Sequence, residues 1–210
     1  HGQYFSSELS LVIGHRCANF IAGFLGKAKK VLILDLDDTL WAGVIGDDGI
    51  SGIGIGDESY ESRIHIELQS YAQGLATRGV MLALASKNEL QIAKSAFAHP
   101  GMILKWGDFA FKEIHWGPKS ESVRKIASAL NVGLDSVVFL DDNPAERDEV
   151  RSALPMVMVP DIDDAPLDFL KFLHLADPFI IDSNLTLEDI DRNHSFAASE
   201  NRERLLKTSS

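Results

Sequence analysis

Short, almost unbroken apolar runs alternate along the chain with longer segments whose apolar residues recur every three or four positions. The runs are Val31-Leu32-Ile33-Leu34, Val80 to Ala85, Met102-Ile103-Leu104, Ser136 to Leu140 and Met156 to Val159. Aliphatic runs of that length read as parallel strands covered on both faces. The segments between them predict helices at about 58–78, 89–97, 118–130 and 144–154, with Pro118 suited to a first helical position. Leu9, Ile13, Cys17, Phe20 and Phe24 place a further amphipathic helix within 6–27. Residues 41–56 hold Gly43, Gly46, Gly49, Gly52, Gly54 and Gly56, and predict a flap or hairpin, not a helix.

Strands alternating with helices predict an α/β fold, a Rossmann-like doubly wound parallel sheet with a small flap cap and flanking helices. Residues 1–27 form a helical extension, 28–160 a catalytic core, and 161–210 a helical extension or linker toward another domain. Helices are expected there at about 167–175 and 186–207. The opening His1, in place of an initiator methionine, suggests a piece of a larger protein.

Composition narrows the chemistry. Apolar residues make up 45% of the 210, enough for a sizeable core. A net charge of −11 without a long basic stretch argues against nucleic acid as a partner. The single Cys17 excludes an internal disulfide framework and fits a reducing cytoplasm. No apolar run approaches the roughly 20 residues of a membrane-spanning helix, and no signal peptide is evident.

The first strand ends in Asp35-Leu36-Asp37-Asp38-Thr39, at the edge where open α/β sheets bind ligands. Side chains two apart on a strand share a direction, so Asp35 and Asp37 are expected to converge on one small target. Ser86-Lys87-Asn88 follows the second run, Lys119 opens a helix, and Asp141-Asp142-Asn143 follows the fourth run.

Order and spacing of Asp35/Asp37, Ser86, Lys119 and Asp141/Asp142 resemble the four motifs of the haloacid-dehalogenase-like phosphotransferase superfamily. The resemblance implies that Asp35 is the nucleophile, Asp37 the general acid/base, and Ser86 and Lys119 the ligands of the transferring phosphoryl group. It also implies a Mg2+ site built from Asp35, Asp37 (through its backbone carbonyl), Asp141 and Asp142. Thr39, Lys87 and Asn88 border the expected phosphate site and are assigned to substrate binding.

A narrower resemblance rests on Lys30 to Trp41, Gly43-Val44-Ile45-Gly46, Ser86-Lys87-Asn88 and Val138 to Arg147, with Leu185 to Asp189 resembling a distal helix. Together these resemble the FkbH-like subfamily over about residues 28–160. That likeness implies an enzyme of polyketide biosynthesis, free-standing or part of a larger polyketide synthase chain. It would take the glyceryl unit of 1,3-bisphosphoglycerate, or a related phosphorylated glycerate, remove phosphate, and load the three-carbon acyl group onto the phosphopantetheine thiol of an acyl carrier protein. Ala42 stands where glycine is expected and Asp38 where asparagine is common. Two rivals share the motifs: a plain phosphomonoesterase with water as acceptor, and a non-catalytic docking domain.

Acyl transfer suggests a thiol, and Cys17 is the candidate carrier of a transient thioester, with His15 or another base assisting. Against this, a cysteine on an apolar stripe is commonly a small buried hydrophobe. His99 and His115 are expected to be structural or solvated, Trp41 and Trp116 to pack the flap, and Arg147 to pair with Glu146 or a nearby carboxylate. Lys27, Lys29 and Lys30 are the candidate basic patch for a carrier protein, though a solvated helix end is the expected reading. Glu200 to Arg204 reads as a solvated helix face.

Overall fold

The computed structural model describes residues 6–25, 28–57, 59–162 and 166–179. Four parallel strands form the sheet: β1 (Val31–Leu34), β2 (Met81–Ser86), β3 (Phe109–Ile114) and β4 (Val137–Leu140). Their spatial order is β3-β2-β1-β4, with β1 central and paired to β2 and β4. Helices α3 (Tyr60–Ala76), α4 (Leu90–Ala96), α5 (Lys119–Ala129) and α6 (Pro144–Ala153) alternate with the strands. This is the expected doubly wound α/β arrangement.

The unbroken apolar runs follow from burial on both faces. Leu32 and Leu34 of β1 enter a core with Leu68 and Leu75 of α3 and Leu173. Val31 and Ile33 enter a second core with Val123 and Ile126 of α5 and Val150 of α6. Helix starts are set locally. Ser59 accepts a hydrogen bond from Ser62 N at the head of α3, and Asn143 from Ala145 N at the head of α6.

Several expectations are corrected. Met102-Ile103-Leu104 is not a strand, because the amides of Ile103 and Leu104 donate to the buried side chain of Gln69 at 3.0 and 3.2 Å instead of to a ladder. The third strand is Phe109–Ile114, at the sheet edge, hidden in the sequence by Lys112, whose buried ammonium donates to Phe109 O, and by half-buried Glu113. Met156 to Val159 is reduced to a parallel bridge between Met158 and Val138. Inside the flap, Ala42 bridges Gly54 antiparallel, but α2 (Ile45–Asp48) adds one helical turn. Pro118 caps α5 from outside rather than opening it. The helix expected at 186–207 and the Glu200 to Arg204 face lie outside the described residues.

The first helix, α1 (Ser7–Phe24), packs on α7 (Leu167–Ala176), and Arg16 donates to the carbonyl of His174 at 2.8 Å. Its expected apolar stripe is not buried: Leu9, Ile13 and Phe20 are exposed, as is Cys17. No helix among the described residues is long and apolar enough to cross a membrane.

Two buried polar side chains of α3 latch the chain after β1. His65 Nδ1 lies 2.8 Å from the carbonyl of Thr39, and Gln69 donates to that of Leu40 at 2.7 Å. Because Gln69 also accepts from Ile103 and Leu104, its removal leaves several buried backbone groups unpaired. Gln69→Leu is expected to cost about 2–3 kcal/mol, read by urea denaturation. A change within a few tenths of a kcal/mol would contradict this latch.

Candidate active site

The site lies at the C-terminal edge of the sheet, where β1, β2 and β4 end side by side. Asp35 continues β1 by one residue, its amide donating to Leu140 O at 3.0 Å. The chain then turns, with the amides of Thr39 and Leu40 both donating to Leu36 O. Asp38 takes the left-handed conformation at φ 50°, which suits asparagine and aspartate alike, and its carboxylate accepts from Gly43 N at 2.7 Å. The departure at this position therefore keeps the turn. At the other departure, Gly54 leaves room opposite Ala42: a Cβ there would lie 3.1 Å from that of Ala42.

At the centre is Lys119, only 2% exposed. Its Nζ lies 2.7 Å from Asp35 Oδ1 and donates to Asp141 Oδ2 and to the carbonyl of Ala85, both at 2.7 Å. Burial alone would lower the lysine's pKa. The carboxylates of Asp35 and Asp141 outweigh it and hold Lys119 above its ordinary value. Asp35 Oδ1 is a buried oxygen whose close contact is the ion pair with that ammonium, without a hydrogen bond of its own.

Asp35, Asp141 and Asp142 each bring a carboxylate oxygen to within 4.8 Å of the others. Clustered anions raise each other's proton affinity. Burial and then Asp35 push Asp141 up to about 6, and burial and then Asp141 push Asp142 up to about 7. The donor set is all oxygen, and one of its buried oxygens lacks a hydrogen bond. That fits a hard divalent cation.

Asp37 faces elsewhere. Its Oδ1 accepts from the indole of Trp41 and the amide of Ile45, both at 2.9 Å, and its Oδ2 from Asn88 Nδ2 at 2.9 Å. Its carboxylate therefore stands toward the flap and not in the cation cluster, which leaves its backbone carbonyl as its route to a metal. Burial raises its pKa, and nearby Asp35 adds to the effect. A carboxyl group of raised pKa beside a nucleophile candidate can carry a proton.

Other assigned residues separate into those at the site and those away from it. Ser86 ends β2 and is buried. Asn88 holds Asp37, and Lys87 pairs with Glu146 at 2.5 Å across the space between β2 and α6. Thr39 is fully buried and its hydroxyl accepts from the amide of Asp142, which makes it a support of the acidic loop. Cys17 is exposed on α1, not the small buried hydrophobe of one reading, and is not part of the cluster.

Trp41 is buried and bonds Asp37, whereas Trp116 is 75% exposed and does not pack the flap. His115 accepts from Gly117 N through Nδ1, and its Nε2 faces both Glu113 and Ser122. With both partners on one nitrogen it braces the loop before Lys119 and is no catalytic triad. His99 braces Gly101 N. Lys29 is spent on the carbonyl of Asp135, away from the site; Lys27 and His15's side chain lie outside the described set.

Sequence reasoning missed the supports: Gln69, His65 and the fork of Arg147, which bonds backbone carbonyls and not the expected carboxylate. Buried polar residues within an apolar helix stripe were the one available signal for the first two.

Neither a protein-family model nor a curated protein matches the chain. Among solved structures it is similar to the N-terminal part of a Bacteroides fragilis protein, a part that contains a phosphatase domain and is complexed with Mg. Identity is 42%, the TM-score is 0.77, and the match covers 80% of this chain. The chain spans 45% of that solved chain. An uncharacterized protein from Corynebacterium glutamicum matches at 15% identity and TM-score 0.45, over 71% of this chain and 96% of that one. A HAD family enzyme from Bacteroides thetaiotaomicron, in complex with magnesium and inorganic phosphate, matches at 13% and 0.43, over 66% and 96%. These two are too distant to carry an argument. The first supports the α/β fold of that phosphatase-containing part for this chain.

The raised carboxylates set a pH dependence. Their folded pKa values lie above the ordinary 3.8, so they favour folding fully only at low pH, and that favour is lost as pH rises through about 6 and 7. The Tm of metal-free protein is thus expected to fall from pH 5 to pH 8, a divalent cation to flatten the fall, and Asp142→Asn to reduce it. A Tm that rises over this range by differential scanning calorimetry would contradict the assignment.

Proposed function

We propose that this chain is a haloacid-dehalogenase-like, Mg2+-dependent phosphatase domain that works through an aspartyl-phosphate at Asp35. One observation carries the reading: the nucleophile candidate keeps a buried oxygen without a hydrogen bond beside a buried lysine, at the mouth of the sheet. The magnesium found with the Bacteroides fragilis phosphatase domain supports Mg2+ as the cation. Asp35, Asp141 and Asp142 would hold it, with the backbone carbonyl of Asp37 available to help. Bound there, Mg2+ supplies charge neutralisation for the cluster and an incoming phosphoryl group.

This chain's own residues do the rest. Asp35 attacks phosphorus while the bond from phosphorus to the leaving oxygen breaks, and Lys119 offsets the charge on a non-bridging oxygen. Asp37, protonated at a carboxyl oxygen, gives its proton to the leaving oxygen and later takes one from the water that releases phosphate. Ser86, buried at the end of β2, would donate a hydrogen bond to the phosphoryl group.

The finer reading is that the substrate is 1,3-bisphosphoglycerate or a related phosphorylated glycerate, and that the acyl unit passes to an acyl carrier protein. In such a substrate the phosphate ester can go to Asp35. The acyl phosphate keeps an activated carbonyl, which a phosphopantetheine thiol attacks, forming a thioester and expelling inorganic phosphate. The motifs shared with the FkbH-like subfamily support this reading, as they support a place within polyketide biosynthesis. A plain phosphomonoesterase is the second reading, favoured by the exposure of Cys17 and its place outside the acidic cluster.

Intact-protein mass spectrometry with Mg2+, 1,3-bisphosphoglycerate and a pantetheinylated carrier protein separates the readings. A glyceryl mass on the carrier is expected. Phosphate release with an unmodified carrier would leave the phosphomonoesterase, and neither would leave a docking domain. Asp35→Asn is expected to lower phosphate release on the order of 10³-fold or more, and Asp37→Asn by about 10²–10⁴-fold. Cys17→Ala is expected to spare phosphate release; loss of carrier loading alone would assign the thiol to acyl transfer.

A further inference from the structure

Arg147 lies in the first turns of α6 and is only 6% exposed. A buried guanidinium is costly unless its donors are satisfied. Its described bonds all go to backbone carbonyls. Nη1 donates to Asp141 O at 2.9 Å and to Asp142 O at 2.6 Å, and Nη2 donates to Ile162 O at 2.9 Å.

Two of those carbonyls belong to the residues whose carboxylates meet Asp35. Fixing consecutive carbonyls fixes the peptide planes, and so the directions in which the two side chains leave the backbone. The remaining freedom of the loop is removed from the other side. Asn143 N donates to Asp141 Oδ1 at 2.9 Å, and Asp142 N donates to Thr39 Oγ1 at 3.2 Å. Without a cation, two like-charged carboxylates on adjacent residues would swing apart. A cationic fork behind their backbone opposes that by geometry and by charge. Lysine has no planar fork and cannot reproduce this span.

We propose that Arg147 is a positioning residue of the cation site. It holds the backbone of Asp141 and Asp142 so that both carboxylates face Asp35, and thereby sets the affinity for the metal. Through Ile162 the same side chain ties the segment beyond Pro160 to that loop. This inference rests on the reading of the acidic cluster as a Mg2+ site.

The test is isothermal titration calorimetry of Mg2+ into the metal-free full chain, with circular dichroism to confirm folding. Arg147→Met is expected to raise the Mg2+ Kd by about 10–100-fold, and Arg147→Lys to recover only part of the loss. Leu75→Ala, which opens a cavity in the fully buried end of α3, is a control for general destabilisation and is expected to keep the wild-type Kd. Adding Asp142→Asn to Arg147→Lys is expected to weaken binding by less than the product of the two single effects, because both act through one ligand. A wild-type Kd in Arg147→Lys, or an equal loss in Leu75→Ala, would overturn the proposal. Wild-type protein that binds no Mg2+ would instead overturn the reading of the cluster itself.

Discussion

The buried ammonium of Lys119, set between the carboxylates of Asp35 and Asp141, is the interaction on which the mouth of the sheet depends. Three acidic side chains at the ends of adjacent strands repel one another, and burial strengthens the repulsion. One interior positive charge, anchored also to Ala85 O, offsets part of it and draws β1, β2 and β4 to a common point. Burial first, and then the part of the repulsion that persists, raise the carboxyl groups of Asp141 and Asp142. A site held short of neutrality is ready for a divalent cation and for an anion that arrives with it.

Around that centre the backbone is set by side chains taken from distant parts of the chain. Gln69 and His65 on α3 hold the carbonyls of Leu40 and Thr39, and the Thr39 hydroxyl supports the amide of Asp142. Asp37 is oriented by Trp41, Ile45 and Asn88, so the flap and the loop after β2 both bear on one proton-carrying candidate. The division of labour between two aspartates two residues apart comes from this turn. Had β1 continued straight, Asp35 and Asp37 would face the same way.

Much of this was legible in the sequence. The apolar runs mark β1, β2 and β4 because parallel strands are covered on both faces, and the polar clusters that end them mark the site. The edge strand Phe109–Ile114 was not legible, because tertiary contacts accommodate its charges: the buried ammonium of Lys112 donates to Phe109 O, and Glu113 pairs with Lys125. Met102 to Leu104 misled for the opposite reason: a short apolar run can be buried by a loop when a side chain such as Gln69 supplies its hydrogen bonds. Thr39, assigned to substrate binding from its place in the motif, also has a supporting part that only the structure shows: its hydroxyl accepts from the Asp142 amide. The apolar positions of α1 predicted the helix but not its exposure, since periodicity says that a face is apolar and not what covers it.

The central claim is that Asp35 becomes covalently phosphorylated. Its most direct measurement is chemical trapping. Protein turning over a phosphorylated substrate with Mg2+ is quenched with borohydride, which reduces an aspartyl phosphate to homoserine, and peptides are then read by mass spectrometry. The account predicts homoserine at position 35 and at no other aspartate, and none when substrate is left out. Continued phosphate release with Asp35 unmodified, or homoserine at a different aspartate, would contradict it.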